Sequence, residues 1–268
     1  MKLVRELCDA VATWPEVTAI ALGGSRATGV ADADADIDLY VYAQKIPSVE
    51  CRRKIFVPRA TQFELDNRIW ETGDEWTDRS TGMDVDLMYR SPQWIESALS
   101  RVLDDHQSSV GYTTCLWHNV KTSHILFDRC GWYASLHAKA QRAYPLPLAA
   151  AIIAKNHPLL RGAHSSFQAQ ILKAVDRKDI ISINHRIAAF FASYFDVLFA
   201  LNHVPHPGEK RLLRHASQLP FSPASLTQDL NQILLAGAAC RREPLHSLTD
   251  SLIDGLESLL PANKYGHA

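Results

Sequence analysis

Residues 22–42 read LGGSRATGVADADADIDLYVY, and this stretch decides the predicted fold. The apolar run Val17 to Leu22 leads into it, with the β-branched and apolar content of a buried strand. Gly23 and Gly24 interrupt that strand, and a second apolar run, Ile37 to Tyr42, follows a polar turn. The stretch therefore predicts a strand, a glycine-serine turn and another strand.

The turn and the start of the second strand carry groups suited to phosphate and metal binding. Glycines let backbone N–H groups point at one spot, and the hydroxyl of Ser25 adds a donor for phosphate oxygens. Asp36 and Asp38 are two residues apart, so on a strand they face the same side. Two such carboxylates repel each other unless a cation holds both ionised, and magnesium binds through carboxylates plus substrate phosphates. The stretch thus predicts a site for phosphoryl or nucleotidyl transfer.

The same stretch admits three other interpretations. A calcium loop needs Gly at its sixth position and Glu at its twelfth, and neither register of the aspartate run supplies them. A serine-hydrolase elbow requires the nucleophile to lead into a helix, whereas Gly and alternating Asp after Ser25 predict no stable helix. An acidic surface turn before an ordinary strand is the third interpretation, and the strands and the Gly-Gly-Ser on either side weigh against it.

A third carboxylate is expected on the strand predicted from Met83 to Tyr89, where Asp84 and Asp86 share one face. An acidic side chain that faces inward is costly unless it has a cation or a proton to handle. Asp86 is the preferred candidate because apolar residues flank it on both sides, as they flank Asp38. Asp84 remains an alternative, and a solvated acidic face on an edge strand is the competing interpretation of the pair.

The rest of the chain predicts a division into a sheet part and a helical part. An amphipathic helix is expected from Lys2 to Thr13, and the region from Pro47 to Gly82 gives no clear period and is interpreted as an excursion near the site. After Gly131 only helices are predicted: Trp132 to Ala143, Leu148 to Leu160, Ser166 to Val175, Ile180 to Leu201, Pro207 to Leu219, Leu226 to Ala239 and Leu245 to Leu260. The expected fold class is α+β, with a small mixed-sheet domain at residues 1–125 and an all-helical bundle at residues 126–268.

Composition excludes several classes of function. With 268 residues and 47% hydrophobic content, the chain can bury a substantial core. The net charge of −1 provides no global attraction for nucleic acid or acidic membranes. Five scattered cysteines argue against a disulfide framework or a structural zinc site. The charged N-terminus is no signal peptide and no stretch is long enough to span a membrane, so a cytoplasmic protein is expected.

The set Gly24-Ser25, Asp36-Ile37-Asp38 and a later Asp86 resembles the signature of the nucleotidyltransferase superfamily, which has the DNA polymerase beta-like fold. A small catalytic sheet domain with a helical bundle is similar to the bacterial antibiotic nucleotidyltransferases, which adenylylate aminoglycosides or lincosamides. The Gly-Gly-Ser-Arg-Ala-Thr-Gly form and the stretch from His206 to Lys210 resemble more closely a bacterial branch without an assigned substrate.

This resemblance implies a role for each site residue. Gly24, Ser25 and Arg26 would bind the nucleotide. Asp36 and Asp38 would hold two magnesium ions, and Asp86 would complete the metal site or take the proton of the acceptor hydroxyl. Lys210 would meet the outer phosphates.

The implied activity is magnesium-dependent transfer of a nucleoside monophosphate, expected to be AMP from ATP, to a hydroxyl of a small molecule with release of pyrophosphate. The alternative is an antitoxin-like or regulatory module that modifies or binds a protein partner. Transfer to an RNA end is disfavoured by the near-zero net charge, because binding along the phosphate backbone of RNA requires a row of basic residues.

Overall fold

A computed structural model describes residues 2–29, 35–69 and 71–260, and it divides the chain into two compact units. The first comprises Met1–Ser100 and Leu116–Arg142, and the second comprises Arg101–Cys115 and Ala143–Ala268. The units interleave along the sequence, whereas the sequence analysis places one boundary between residues 125 and 126. As a statement about domains, that boundary stays a prediction.

The first unit contains a six-stranded mixed sheet with the strand order β3-β4-β5-β2-β1-β6. Strands β2 and β5 are parallel, and the other neighbouring pairs are antiparallel. A sheet followed by a helical region confirms the predicted fold class. The strands are β1 (Val17–Leu22), β2 (Ile37–Ala43), β3 (Ala60–Asn67), β4 (Gly73–Asp78), β5 (Asp84–Arg90) and β6 (His124–Asp128).

Helices cover the sheet in the first unit and make up most of the second. The first helix buries Leu3, Val4, Leu7, Cys8 and Val11 on one face, which confirms the predicted amphipathic spacing. The helices are α1 (Lys2–Ala12), α2 (Gly24–Ala27), α3 (Val49–Phe56), α4 (Pro92–Leu103), α5 (Cys115–Thr122), α6 (Trp132–Ala140), α7 (Leu146–Leu160), α8 (Phe167–Asp176), α9 (Ile180–Leu201), α10 (Leu212–Ala216), α11 (Leu226–Ala238) and α12 (Arg242–Glu257).

The region interpreted as an excursion is in fact part of the sheet. It folds as α3, a 3₁₀ turn at Val57–Arg59 and the hairpin β3–β4, which pairs through β4 with β5. Its apolar period is weak because β3 lies at the edge of the sheet, where residues 61–64 are exposed. An edge strand with little burial gives no alternating pattern from which a strand can be predicted.

The helix predicted from Pro207 to Leu219 is wrong in its bounds, because α10 begins only at Leu212. The backbone N–H of His206 donates to Thr114 Oγ1 at 2.7 Å, and its Nδ1 accepts the N–H of Gly208 at 3.0 Å. Gly208 and Arg211 have φ values of 105° and 54°, which are incompatible with a right-handed helix. The buried His206 thus holds this segment in an irregular conformation.

A second correction concerns the residues after Ser25, for which no stable helix was expected. One helical turn does form as α2, and it ends at Ala27. Gly29 follows with φ 72°, so the turn does not continue as a longer helix. Within the described residues, none of the helices has the length and apolar content needed to cross a membrane.

Candidate active site

Four carboxylates form a row across the sheet, one from each of four neighbouring strands. Asp38 on β2 is the register partner of Asp86 on β5, Asp86 is the partner of Glu75 on β4, and Glu75 is the partner of Glu64 on β3. Register partners project from the same face, and neighbouring strands lie about 4.8 Å apart. We call Glu64, Glu75, Asp86 and Asp38 the carboxylate row.

The pKa of Asp86 reflects the negative charges of its neighbours in the carboxylate row. Burial of this half-buried side chain, followed by the charges of Glu75 and Asp38, raises the pKa of Asp86 to about 6. A cation held between Asp38 and Asp86 would relieve this repulsion and favour both ionised forms. The oxygen donors of this pair fit magnesium, which binds through one or two carboxylates and completes its shell with water and substrate oxygens.

The glycine-serine turn packs directly onto Asp38. The N–H of Gly23 donates to the backbone oxygen of Asp38 at 2.9 Å. Gly24 has φ 61°, and a Cβ added to it would overlap Oδ2 of Asp38. Ser25 follows in the same turn and is half-buried. The fold therefore brings the predicted phosphate turn and a predicted metal-binding carboxylate into contact.

Asp36 lies beside the row but is exposed, immediately before β2 begins. It lines an open groove of about 500 Å³ together with Glu64, Glu75, Asp84 and Asp86. Within the described residues, no three His, Cys, Asp or Glu side chains are arranged so that they could hold a metal ion. A metal site built from Asp36, Asp38 and Asp86 together therefore stays a prediction, and the in-register pair is its best-defined part.

Register distinguishes Asp86 from Asp84, which the sequence leaves as alternatives. Asp86 lies opposite Asp38, whereas Asp84 is exposed, is the register partner of Thr77 and accepts a hydrogen bond from Thr77 Oγ1 at 2.7 Å. This arrangement supports Asp86 as the third carboxylate.

The two predicted cationic residues differ in their placement. The guanidinium of Arg26 donates to the backbone oxygens of Ala35 and Asp36, so at least part of its hydrogen-bonding capacity is used within the chain. Lys210 is exposed and belongs to the second unit. Nucleotide binding by either residue stays a prediction.

Sequence reasoning missed Glu64 and Glu75 as members of the site. Both belong to the hairpin whose weak period concealed its strands, and neither is close in sequence to the glycine-serine turn or to Asp38. The available signal was Gly73, a residue type that often bounds strands and that is the first residue of β4.

A glycine turn beside carboxylates on adjoining strands defines a site of the kind used in phosphate-transfer chemistry. Residues 1–109 match the family model of the nucleotidyltransferase domain. This part of the chain is therefore similar to nucleotidyltransferase domains, which supports a general function in nucleotidyl transfer.

A likeness is also found to the crystal structure of a nucleotidyltransferase-like protein from Exiguobacterium sibiricum 255-15. The two chains are 15% identical, the match covers 96% of this chain and 73% of that chain, and the TM-score is 0.45. No curated protein matches this chain in sequence.

Proposed function

We propose that the protein is a magnesium-dependent nucleotidyltransferase that moves AMP from ATP to a hydroxyl group of a small molecule. The observation that carries the proposal is the position of Asp38, which lies in register with Asp86 and in contact with Gly24. A carboxylate pair and a phosphate turn thus share one spot in the part of the chain that is similar to nucleotidyltransferase domains. Bound magnesium would offset the negative charge of the phosphates and of the developing transition state.

Each residue has a distinct task in this reaction. Gly24 and Ser25 supply donors for phosphate oxygens at the start of a helical turn, where the first N–H groups have no partner within the helix. Asp38, with Asp36 immediately before the same strand, would hold magnesium, and Asp86 would complete that site or accept the proton of the hydroxyl. The acceptor oxygen then bonds to the α-phosphorus as the bond to pyrophosphate breaks.

The test is magnesium-dependent release of pyrophosphate from ATP in the presence of a panel of hydroxyl compounds. Asp36→Ala and Asp38→Ala should each lower the rate ~100-fold or more, equivalent to about 3 kcal/mol or more. Asp9→Ala is the matched control, because Asp9 is an exposed carboxylate on α1 in the same unit, and it should retain the wild-type rate. Full activity in both site variants would remove the mechanism.

A protein acceptor is the second candidate, and exposed apolar side chains in the second unit favour it. Ile181 on α9 is 77% exposed and Leu235 on α11 is 64% exposed, and these two helices pack against each other. The fate of the transferred group separates the candidates. Label from the α-phosphate of ATP should enter a small molecule under the first proposal and a polypeptide under the second.

A further inference from the structure

Arg26 connects three segments of the first unit that meet at the carboxylate row. Its Nε donates to the backbone oxygens of Ala35 at 2.9 Å and Asp36 at 3.0 Å, and Nη2 donates to the oxygen of Ala35 as well. Nη2 also lies 3.3 Å from Sδ of Met83. Arg26 itself belongs to the turn that carries Gly24, residues 35 and 36 lead into β2, and Met83 directly precedes β5.

The backbone that Arg26 contacts, at residues 35 and 36, is the part of the site that strand pairing holds least. Asp38 lies within β2 and is held by ladder pairing with β5, whereas Asp36 precedes the first residue of β2 and is exposed. The orientation of the Asp36 side chain depends on the backbone at residues 35 and 36. Hydrogen bonds from a charged guanidinium to carbonyl oxygens are stronger than neutral ones, and the planar fork reaches two carbonyls at once.

We propose that Arg26 is a positioning residue, which holds the backbone at Ala35 and Asp36 and thereby fixes the position of the Asp36 carboxylate beside the carboxylate row. This assignment differs from a phosphate-binding role, because the guanidinium is directed at carbonyl oxygens of the chain itself. It rests on the proposed function in one respect, namely that these aspartates bind a divalent cation. Arg26→Ala would therefore alter metal binding first and nucleotide binding little.

The experiment measures metal and nucleotide binding separately. Mn²⁺ affinity is measured by electron paramagnetic resonance with a nonhydrolysable ATP analogue bound, and nucleotide affinity is measured by calorimetry in EDTA. Arg26→Ala should weaken Mn²⁺ binding about 10-fold or more, since loss of a residue that orients metal ligands costs 10- to 100-fold in affinity. Its nucleotide affinity without metal should stay within about twofold of wild type, a change well below that 10- to 100-fold range.

Arg129 provides a matched control in the same unit. Its Nε donates to Val17 O at 3.0 Å, and Nη2 donates to Ala12 O and Trp14 O, both at 3.0 Å. It is thus another arginine that binds backbone carbonyls, at the opposite end of β1 from the glycine-serine turn. Arg129→Ala should lower thermal stability and leave Mn²⁺ affinity unchanged, which separates positioning from general loss of structure.

One further variant and a chemical rescue test the role of the guanidinium. Arg26→Lys retains the charge but cannot form the fork, so it should share the metal defect and guard against misfolding of Arg26→Ala. Added methylguanidinium should partly restore Mn²⁺ binding to Arg26→Ala but not to Arg26→Lys. The inference would be overturned if Arg26→Ala or Arg26→Lys lost nucleotide affinity in EDTA. It would also be overturned if these variants kept wild-type Mn²⁺ affinity, as is expected of Arg129→Ala.

Asp38→Ala distinguishes failure of the inference from failure of the proposed function. If Asp38→Ala binds Mn²⁺ as wild type does, the metal site itself is misplaced and the proposed function fails. If Asp38→Ala loses Mn²⁺ binding while Arg26→Ala retains it, only the role of Arg26 is refuted.

Discussion

Gly24 is the residue at which backbone conformation and site chemistry meet. Its φ of 61° is strained for any other residue, and an added Cβ would displace the carboxylate of Asp38. Gly29 has a similar φ of 72°, but an added Cβ there would meet nothing within 4 Å. The two glycines therefore separate the effect of backbone strain from the effect of a collision with Asp38.

We predict that Gly24→Ala and Gly29→Ala each lower the free energy of unfolding by about 1–3 kcal/mol, the usual cost of a left-handed non-glycine residue. Only Gly24→Ala should also lower the rate of nucleotidyl transfer, by about tenfold for each 1.4 kcal/mol of lost transition-state stabilisation. Urea unfolding and the pyrophosphate assay measure the two effects. Equal activity in the two variants would show that contact between Gly24 and Asp38 is irrelevant to the reaction.

At the scale of elements, a buried ionic network attaches the hairpin β3–β4 to helix α3. Arg52 is 2% exposed and pairs with Asp74, which is fully buried, and with Asp66 at 2.9 Å. The hydroxyl of Tyr89 on β5 donates to Asp74 at 2.7 Å. Because Asp74 directly precedes Glu75, this network also positions one member of the carboxylate row.

Asp74→Ala should lower the free energy of unfolding by about 3–5 kcal/mol, because it leaves the charge of Arg52 buried without its most buried partner. Asp66→Ala is the matched control, since Asp66 is a more exposed partner of the same guanidinium, and it should cost about 1 kcal/mol or less. Urea unfolding of both variants tests the prediction. Similar losses of unfolding free energy in the two variants would refute the view that burial of the carboxylate partner decides how much stability is lost.

At the scale of the whole molecule, the second unit has its own buried acid. Asp196 on α9 is 1% exposed, and it accepts hydrogen bonds from the N–H of Thr113 at 3.1 Å and from Thr113 Oγ1 at 2.6 Å. Burial raises the pKa of Asp196 to about 6, although the bonds from Thr113 oppose this shift. The folded state therefore binds a proton more tightly than the unfolded state, in which the pKa is 3.8.

The sign of this linkage predicts a loss of stability with rising pH. The contribution of Asp196 is fully present below pH 3.8 and is lost as the pH rises through about 6, on the order of 3 kcal/mol in total. Asp196→Asn should flatten this part of the pH profile. The test is urea unfolding of the wild type and of Asp196→Asn between pH 3.5 and 7, in which the free energies of unfolding of the two proteins are compared at each pH. Parallel profiles for wild type and variant would contradict the prediction.

Local pattern predicted much of the fold because burial on one face imposes a period on the sequence. The apolar runs of β1, β2 and β5 are recognisable, and so are the glycine break at Gly24 and the amphipathic α1. The same reasoning failed where burial is weak, as at the edge strand β3. It also failed where a side chain from a distant segment overrides local propensity, as Thr114 does at His206.

The sequence by itself determined that Gly23 and Gly24 interrupt a strand and that Asp36, Asp38, Asp84 and Asp86 lie at or just before the starts of two others, since alternation assigns each side chain to a face. Only the tertiary structure decided which of these carboxylates oppose each other. Pairing of β2 with β5 set Asp38 opposite Asp86, and the hairpin added Glu64 and Glu75 to the row. Register between strands depends on contacts between distant segments, which no local period encodes.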